Sequence, residues 1–166
     1  MNQWHVATAA EAIAAAQFAR CGWDVLIQYG ANLPEYDLVA VKEGHTLKVS
    51  VKGSQEGGWG LTQSHLKDRD YHGAVDKWLA RHKPNTILCF VQFLNVRISD
   101  LPRVYLAMPR DVASWLKAAA AGRGDTVLRE HHLWGKIAQA AGTVDQIPSS
   151  WQFTCDRAHA LATSEA

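Results

Sequence analysis

Residues 46–52, Thr-Leu-Lys-Val-Ser-Val-Lys, alternate polar and apolar side chains without a break. A period of two fits a strand with one covered face and does not fit a helix, whose apolar positions recur every three or four residues. Leu47, Val49 and Val51 are therefore expected to line the covered face, leaving Lys48, Ser50 and Lys52 as a polar row on the other. Two β-rich runs precede this one, at 23–29 and 36–41, set apart by Gly30-Ala31-Asn32-Leu33-Pro34 and by Lys42-Glu43-Gly44-His45. Such residues punctuate a chain at turns, so the three runs read as a meander. In the second run Asp37, Val39 and Val41 share one face.

A helix is expected before the meander. Thr8-Ala9-Ala10-Glu11 has capping-box spacing, and the alanine-rich stretch to Arg20 favours helix until Gly22 stops it. Between residues 9 and 19 only Glu11 and Gln17 are polar, which predicts a largely covered helix with Glu11 near the interior. After the meander, residues 53–60 hold four glycines and Trp59, a composition expected of a mobile loop. Val75, Trp78 and Leu79 mark a second helix from Tyr71 that ends before Pro84. Runs 86–93 and 104–108 read as strands, and 109–121 as a third helix closed by Gly122. The expected order is αβββαββα. A short strand at 126–130, a helical stretch near 136–141 and a segment around Trp151 read as an appendage.

With 166 residues, 48% hydrophobic and 20% charged, the chain suits one globular domain, 1–166, with its core at about 6–121 and its appendage at about 122–166. The longest near-apolar run, 12–19, is broken by Gln17 and is far short of the roughly 20 residues a membrane span needs. Cys21, Cys89 and Cys155 are odd in number and widely spaced, which suits reduced thiols. With no secretory leader pattern at the start, a cytoplasmic address is expected. The net charge of +1 sets up no large positive field, so any binding of nucleic acid must rest on a local patch. Residues 65–83 supply a candidate, with five Lys or Arg against three acids and His65, His72 and His82 added. A solvated helix face is the alternative reading of that segment.

Phosphodiester hydrolysis with a metal ion needs carboxylates to hold a hard cation and a positive group near the attacking water and the developing charge. Glu11, Asp37 and Lys52 are of these types. Each has a plainer reading: Glu11 as the capping partner of Thr8, Asp37 as a turn residue, Lys52 as a solvated strand end. Trp59 would either stack on an unpaired base or fold back on the core. The glycine-rich stretch lacks the Gly-Lys-Ser/Thr ending of a phosphate-binding loop, which argues against a nucleotide triphosphate site. His131-His132 has no spaced Cys or His to complete a zinc site.

From residue 8 to residue 55 the chain resembles the PD-(D/E)XK nuclease superfamily, and within it the Holliday-junction-resolvase-like branch. The resemblance rests on a helix carrying Glu11, on Pro34-Glu35-Tyr36-Asp37-Leu38-Val39-Ala40-Val41, and on Leu47-Lys48-Val49-Ser50-Val51-Lys52-Gly53-Ser54-Gln55. It implies a restriction-endonuclease-like α/β fold with an αβββαβ core and a mixed central sheet flanked by helices. It further implies a Mg2+- or Mn2+-dependent DNA endonuclease, with Asp37 and Glu11 as metal ligands and Lys52 orienting water. By the same resemblance Ser50 and Gln55 line the site and a homodimer is plausible, and Lys48, Ser54 and Trp59 are expected to face substrate. The acid of the acid-x-lysine motif is replaced by Ser50, a neutral hydroxyl that binds Mg2+ far more weakly, and Glu35, Gln55 or Glu56 stand near enough in sequence to compensate. Two alternatives follow from that loss: a catalytically degenerate nucleic-acid-binding domain on the same fold, or a protein-interaction or assembly module.

Overall fold

In the computed structural model, residues 1–28, 35–83 and 85–164 are described. The Gly30–Pro34 turn expected from the sequence, the Tyr29 end of the first strand run and Pro84 lie outside them. The chain opens with α1 (Gln3–Arg20), whose N-cap is Asn2, the side chain accepting from the His5 amide at 2.9 Å. The helix thus starts well before Thr8, because the run from Gln3 onward already carries the buried stripe Val6, Ala10, Ala14 and Phe18 at four-residue spacing. Thr8 and Glu11 sit inside the helix and form no capping box. The helix is also less covered than its alanines suggest, since Ala12, Ala16 and Ala19 are exposed.

The central sheet contains β1 (Asp24–Ile27), β2 (Leu38–Lys42), β3 (His45–Ser54), β5 (Thr86–Gln92) and β6 (Arg103–Ala107), in the order β1-β2-β3-β5-β6. β1, β2 and β3 form the antiparallel meander, β3 and β5 run parallel, and β6 returns antiparallel. The parallel pair needs a crossover, supplied by α2 (Tyr71–Leu79). α3 (Pro109–Ala118) lies beside α2, while α1 and α4 (Cys155–Thr163) cover the opposite face. Leu47, Val49 and Val51 join the core beneath α1, and Leu88 and Phe90 join the one beneath α2 and α3.

Residues 53–60 are not a loop throughout. β3 continues to Ser54, and β4 (Gly58–Gly60) pairs with β7 (Val127–Arg129), leaving only residues 55–57 between them. The glycines serve close packing here: a Cβ on Gly53 would stand 2.8 Å from the Val6 carbonyl oxygen and 2.9 Å from the Ala10 Cβ. Glycine at 53 therefore lets α1 cross β3 closely enough to bring Glu11 to the sheet. Gly53→Ala is expected to lower stability by about 1–3 kcal/mol, measurable by urea denaturation, because the Val6 carbonyl oxygen and the Ala10 Cβ are fixed to the α1 backbone and cannot swing aside.

The C-terminal region is woven into both cores rather than appended. Leu128 of β7 is fully buried beneath α2 and α3, and Ala158 and Leu161 of α4 pack on the α1 side. β8 (His131–Leu133) and β9 (Val144–Gln146) make a small separate ribbon, and the expected helix near 136–141 is a single 3-10 turn at Lys136–Ala138. Cys21 and Cys155 are joined as a disulfide, with a Cα–Cα distance of 5.2 Å, correcting the expectation of three reduced thiols. Widely spaced cysteines gave no hint of this, because the fold alone brings the end of α1 against the start of α4. Cys89 is free and buried.

Candidate active site

β2 begins at Leu38, so Asp37 sits just before the strand, where β3 would otherwise have unpaired backbone groups. It fills that gap: its amide donates to the Val49 carbonyl at 2.8 Å, and its carboxylate accepts from the Val51 amide. A further bond, from the Gln28 amide to the Asp37 carbonyl at 3.1 Å, ties it to β1. The carboxylate is thus held against the β3 backbone one residue before Lys52.

Glu11 approaches from α1. Gln3, Ala7 and Glu11 form a four-residue stripe beside the buried one, and this stripe borders an open cleft of about 540 Å3. Asp37 and Lys52 line the same cleft, with Gln55 and Glu56 at its rim. Glu11 is half-buried. Burial first, and then the charge of Asp37, raise its carboxyl above the ordinary range, while Lys52 works in the opposite direction. The cleft therefore joins two acids and one amine, and the charge on Glu11 is opposed by burial and by Asp37, an arrangement suited to a cation.

The remaining candidates are placed less uniformly. Ser54 lines the cleft, but its hydroxyl accepts from the Glu56 amide at 3.1 Å and shapes the 55–57 turn. The Gln55 amide nitrogen donates to the Met1 carbonyl at 2.7 Å. Lys48 lies outside the cleft lining, with its ammonium 5.4 Å from the Tyr36 ring centroid. Glu35 accepts from the Lys83 amide at 2.6 Å and likewise stands outside the lining. Trp59 borders the cleft yet is only 3% exposed, packed on Phe90 and Tyr105. So deeply buried, its ring has no surface for stacking a base.

Ser50 shares the strand face of Lys52 but is 4% exposed and does not line the cleft. Its register partner is Leu88, which belongs to the core under α2 and α3. A carboxylate at this position would be desolvated, so Ser50→Glu is expected to lose about 2–4 kcal/mol of stability, with no gain in Mn2+ affinity. Thermal melts paired with titration calorimetry check both halves of that expectation.

The turn after α2 carries Arg81, His82 and Lys83, and a 3-10 turn before α2 carries His65. Arg81 approaches the His65 ring at 3.4 Å, and the His82 ring packs on Trp78 at 4.3 Å. Burial lowers the His82 pKa, with Lys52 and Arg81 pushing the same way against the Trp78 carbonyl and Glu35. His82 thus lies within the field of Lys52, and Lys83 is paired with Glu35 at 3.9 Å.

Sequence reasoning missed a second group of residues. Glu130, which follows β7, accepts from Arg103 at 2.6 and 2.9 Å and from the Tyr105 hydroxyl at 2.7 Å. Burial opposes the charge of Glu130, but these bonds outweigh it and hold the carboxyl below its usual range. Arg103 and Tyr105 are two apart on β6, but Glu130 stands far along the chain from both and in no motif with them, so only the folded chain reveals the group.

No family model matches the sequence, and no curated protein matches it. Among solved structures the chain is similar to a bacterial homing endonuclease, I-Ssp6803I, with a TM-score of 0.53 and 16% identity over 99% of this chain and 96% of that one. The protein has a nuclease-like α/β fold, built on a five-stranded mixed sheet with helices on both faces. Among the described residues no helix is long and apolar enough to cross a membrane.

Proposed function

We propose that the protein is a DNA endonuclease of the PD-(D/E)XK type that uses Mg2+ or Mn2+ and acts in the cytoplasm. The observation that carries this reading is that Glu11, Asp37 and Lys52 border one cleft in a nuclease-like fold. Glu11 and Asp37 would hold the ion. Among the described residues no group of three or more His, Cys, Asp or Glu stands ready as a cage. Magnesium does not need one, since it is commonly held by one or two carboxylates with phosphate oxygens and water completing its shell. Two carboxylates at the edge of an open cleft fit that habit. Bound there, the ion would supply Lewis acidity toward the phosphate and a more acidic water.

The chain's own groups do the rest. The Val51 amide fixes the Asp37 carboxylate before substrate arrives, so little reorganisation is needed on binding. The Lys52 ammonium orients the attacking water and balances charge growing on the phosphate oxygens. Arg81, Lys83 and their histidine neighbours offer the strand backbone a basic strip, whose attraction is sequence-independent and salt-sensitive. A two-fold dimer would present one such cleft to each strand of a duplex.

Ser50, standing where the superfamily places an acid, favours a second reading: a nucleic-acid-binding domain that has lost hydrolysis. Duplex, branched and single-stranded DNA, each run on gels with Mg2+, Mn2+ or EDTA, separate the possibilities. The nuclease cuts at least one form in a metal-dependent way. The degenerate domain retards DNA in a salt-sensitive way without cutting, and an assembly module does neither.

A further inference from the structure

A second open cleft, of about 570 Å3, lies at the same end of the sheet as the first. β3 and β5 are parallel and end side by side at Ser54 and Gln92, and β6 begins there at Arg103. The 55–57 turn lies between the two clefts. On one side Gln55 and Glu56 border the first; on the other, the Gly57 carbonyl accepts from the Glu130 amide at 2.9 Å, and Glu130 lines the second.

The lining of this second cleft has a particular chemistry. Asn95, Gln146, Ser149 and Gln152 are exposed, and their side chains make no hydrogen bond to another described residue. They come from separate parts of the chain: Asn95 lies in the turn after β5, Gln146 ends β9, and Gln152 is bridged through its backbone to Tyr105 of β6. The one strongly charged pair, Arg103 and Glu130, is self-neutralised by two hydrogen bonds, and Arg103 also holds the Leu94 carbonyl at 3.1 Å, just before Asn95. The result is a groove of free amide donors and acceptors with no net charge from that pair. Phosphates call for cations, whereas base edges present paired donors and acceptors that asparagine and glutamine match in bidentate fashion. Of the aliphatic lining residues Val104 and Ile147 are buried and Leu94 alone is exposed, too little for the apolar centre that a protein-binding surface would need.

We propose that this groove reads base edges of duplex DNA beside the phosphate held in the first cleft, with Asn95, Gln146 and Gln152 as the reading side chains and the Arg103–Glu130–Tyr105 network as their brace. The proposal rests on the DNA-nuclease reading and adds to it a place where sequence is chosen.

The test is a selection from a randomised duplex library by the intact protein in EDTA, comparing the natural chain with an Asn95→Ala, Gln146→Ala, Gln152→Ala triple variant. All three positions are exposed, so the variant should melt at the natural temperature. The natural chain is expected to enrich a motif. The variant should bind bulk DNA with the same salt dependence and lose roughly tenfold or more of its preference at a contiguous part of that motif. A motif unchanged in the variant overturns the proposal, as does a natural chain that binds DNA yet enriches nothing. Either result leaves the nuclease reading intact, because that reading is judged separately, by metal-dependent cleavage by the natural chain. If the natural chain binds no DNA at all, both fall.

Discussion

Lys52→Met is expected to leave the fold and DNA retention in place while slowing cleavage roughly 100- to 1,000-fold, the usual consequence of removing one group that stabilises transition-state charge. Lys52 sits near the end of β3, half-exposed, on the cleft that Glu11 and Asp37 share. Methionine keeps the length of the stem and much of its apolar packing and removes only the ammonium. The burial of Glu11 and the charge of Asp37 that raise its carboxyl would then act without the opposing lysine, so metal affinity should hold or rise as cleavage falls. Single-turnover cleavage, a gel shift and a thermal melt together isolate the effect. A strand-end lysine with no part in the chemistry would leave the rate unchanged.

Cys155→Ser is expected to lower stability by about 2–5 kcal/mol, and the melting temperature by roughly 5–15 °C. The disulfide spans 134 residues of sequence, a loop whose closure removes much of the unfolded chain's freedom. It also ties the end of α1 to the start of α4, the two helices that cover one sheet face. Cys155 is exposed, so reduction of the natural chain should reproduce the variant's melt. A reducing cytoplasm would hold the pair as thiols and the protein at that lower stability. Melts that coincide with and without reductant would show that the bond contributes nothing.

Much of the architecture could be read from periodicity. The alternation at 46–52 marked β3 and assigned Leu47, Val49 and Val51 to the covered face, and Val75 and Trp78 marked the buried side of α2. The errors have physical causes. The start of α1 was missed because a capping-box spacing at Thr8 outweighed the less regular residues before it, where Asn2 is the true cap. Glycine density at 53–60 suggested mobility, whereas Gly53 permits a close crossing and Gly58 pairs with Arg129. α4 was overlooked, although Thr154 caps it through the Arg157 amide at 3.0 Å and Asp156 favours its first turn. As for the site, residue types and order pointed to Glu11, Asp37 and Lys52, but spacing along the chain says nothing of tertiary approach. The burial of Ser50 and of Trp59 depended on α2, β5 and β6, which no local pattern foretells.

The most direct measurement is cleavage of covalently closed circular duplex DNA by the purified chain in Mg2+, with Asp37→Asn as its partner. Asparagine is nearly isosteric and can still accept from the Val51 amide, so the variant should fold, while its neutral oxygen is a poor ligand for a hard cation. The expected result is nicked or linear product from the natural chain in Mg2+ or Mn2+, none in EDTA, and none from the variant. Cleavage by Asp37→Asn at the natural rate, or failure of the natural chain with either metal to cut the circle and branched and single-stranded DNA alike, would contradict a nuclease centre at Glu11, Asp37 and Lys52.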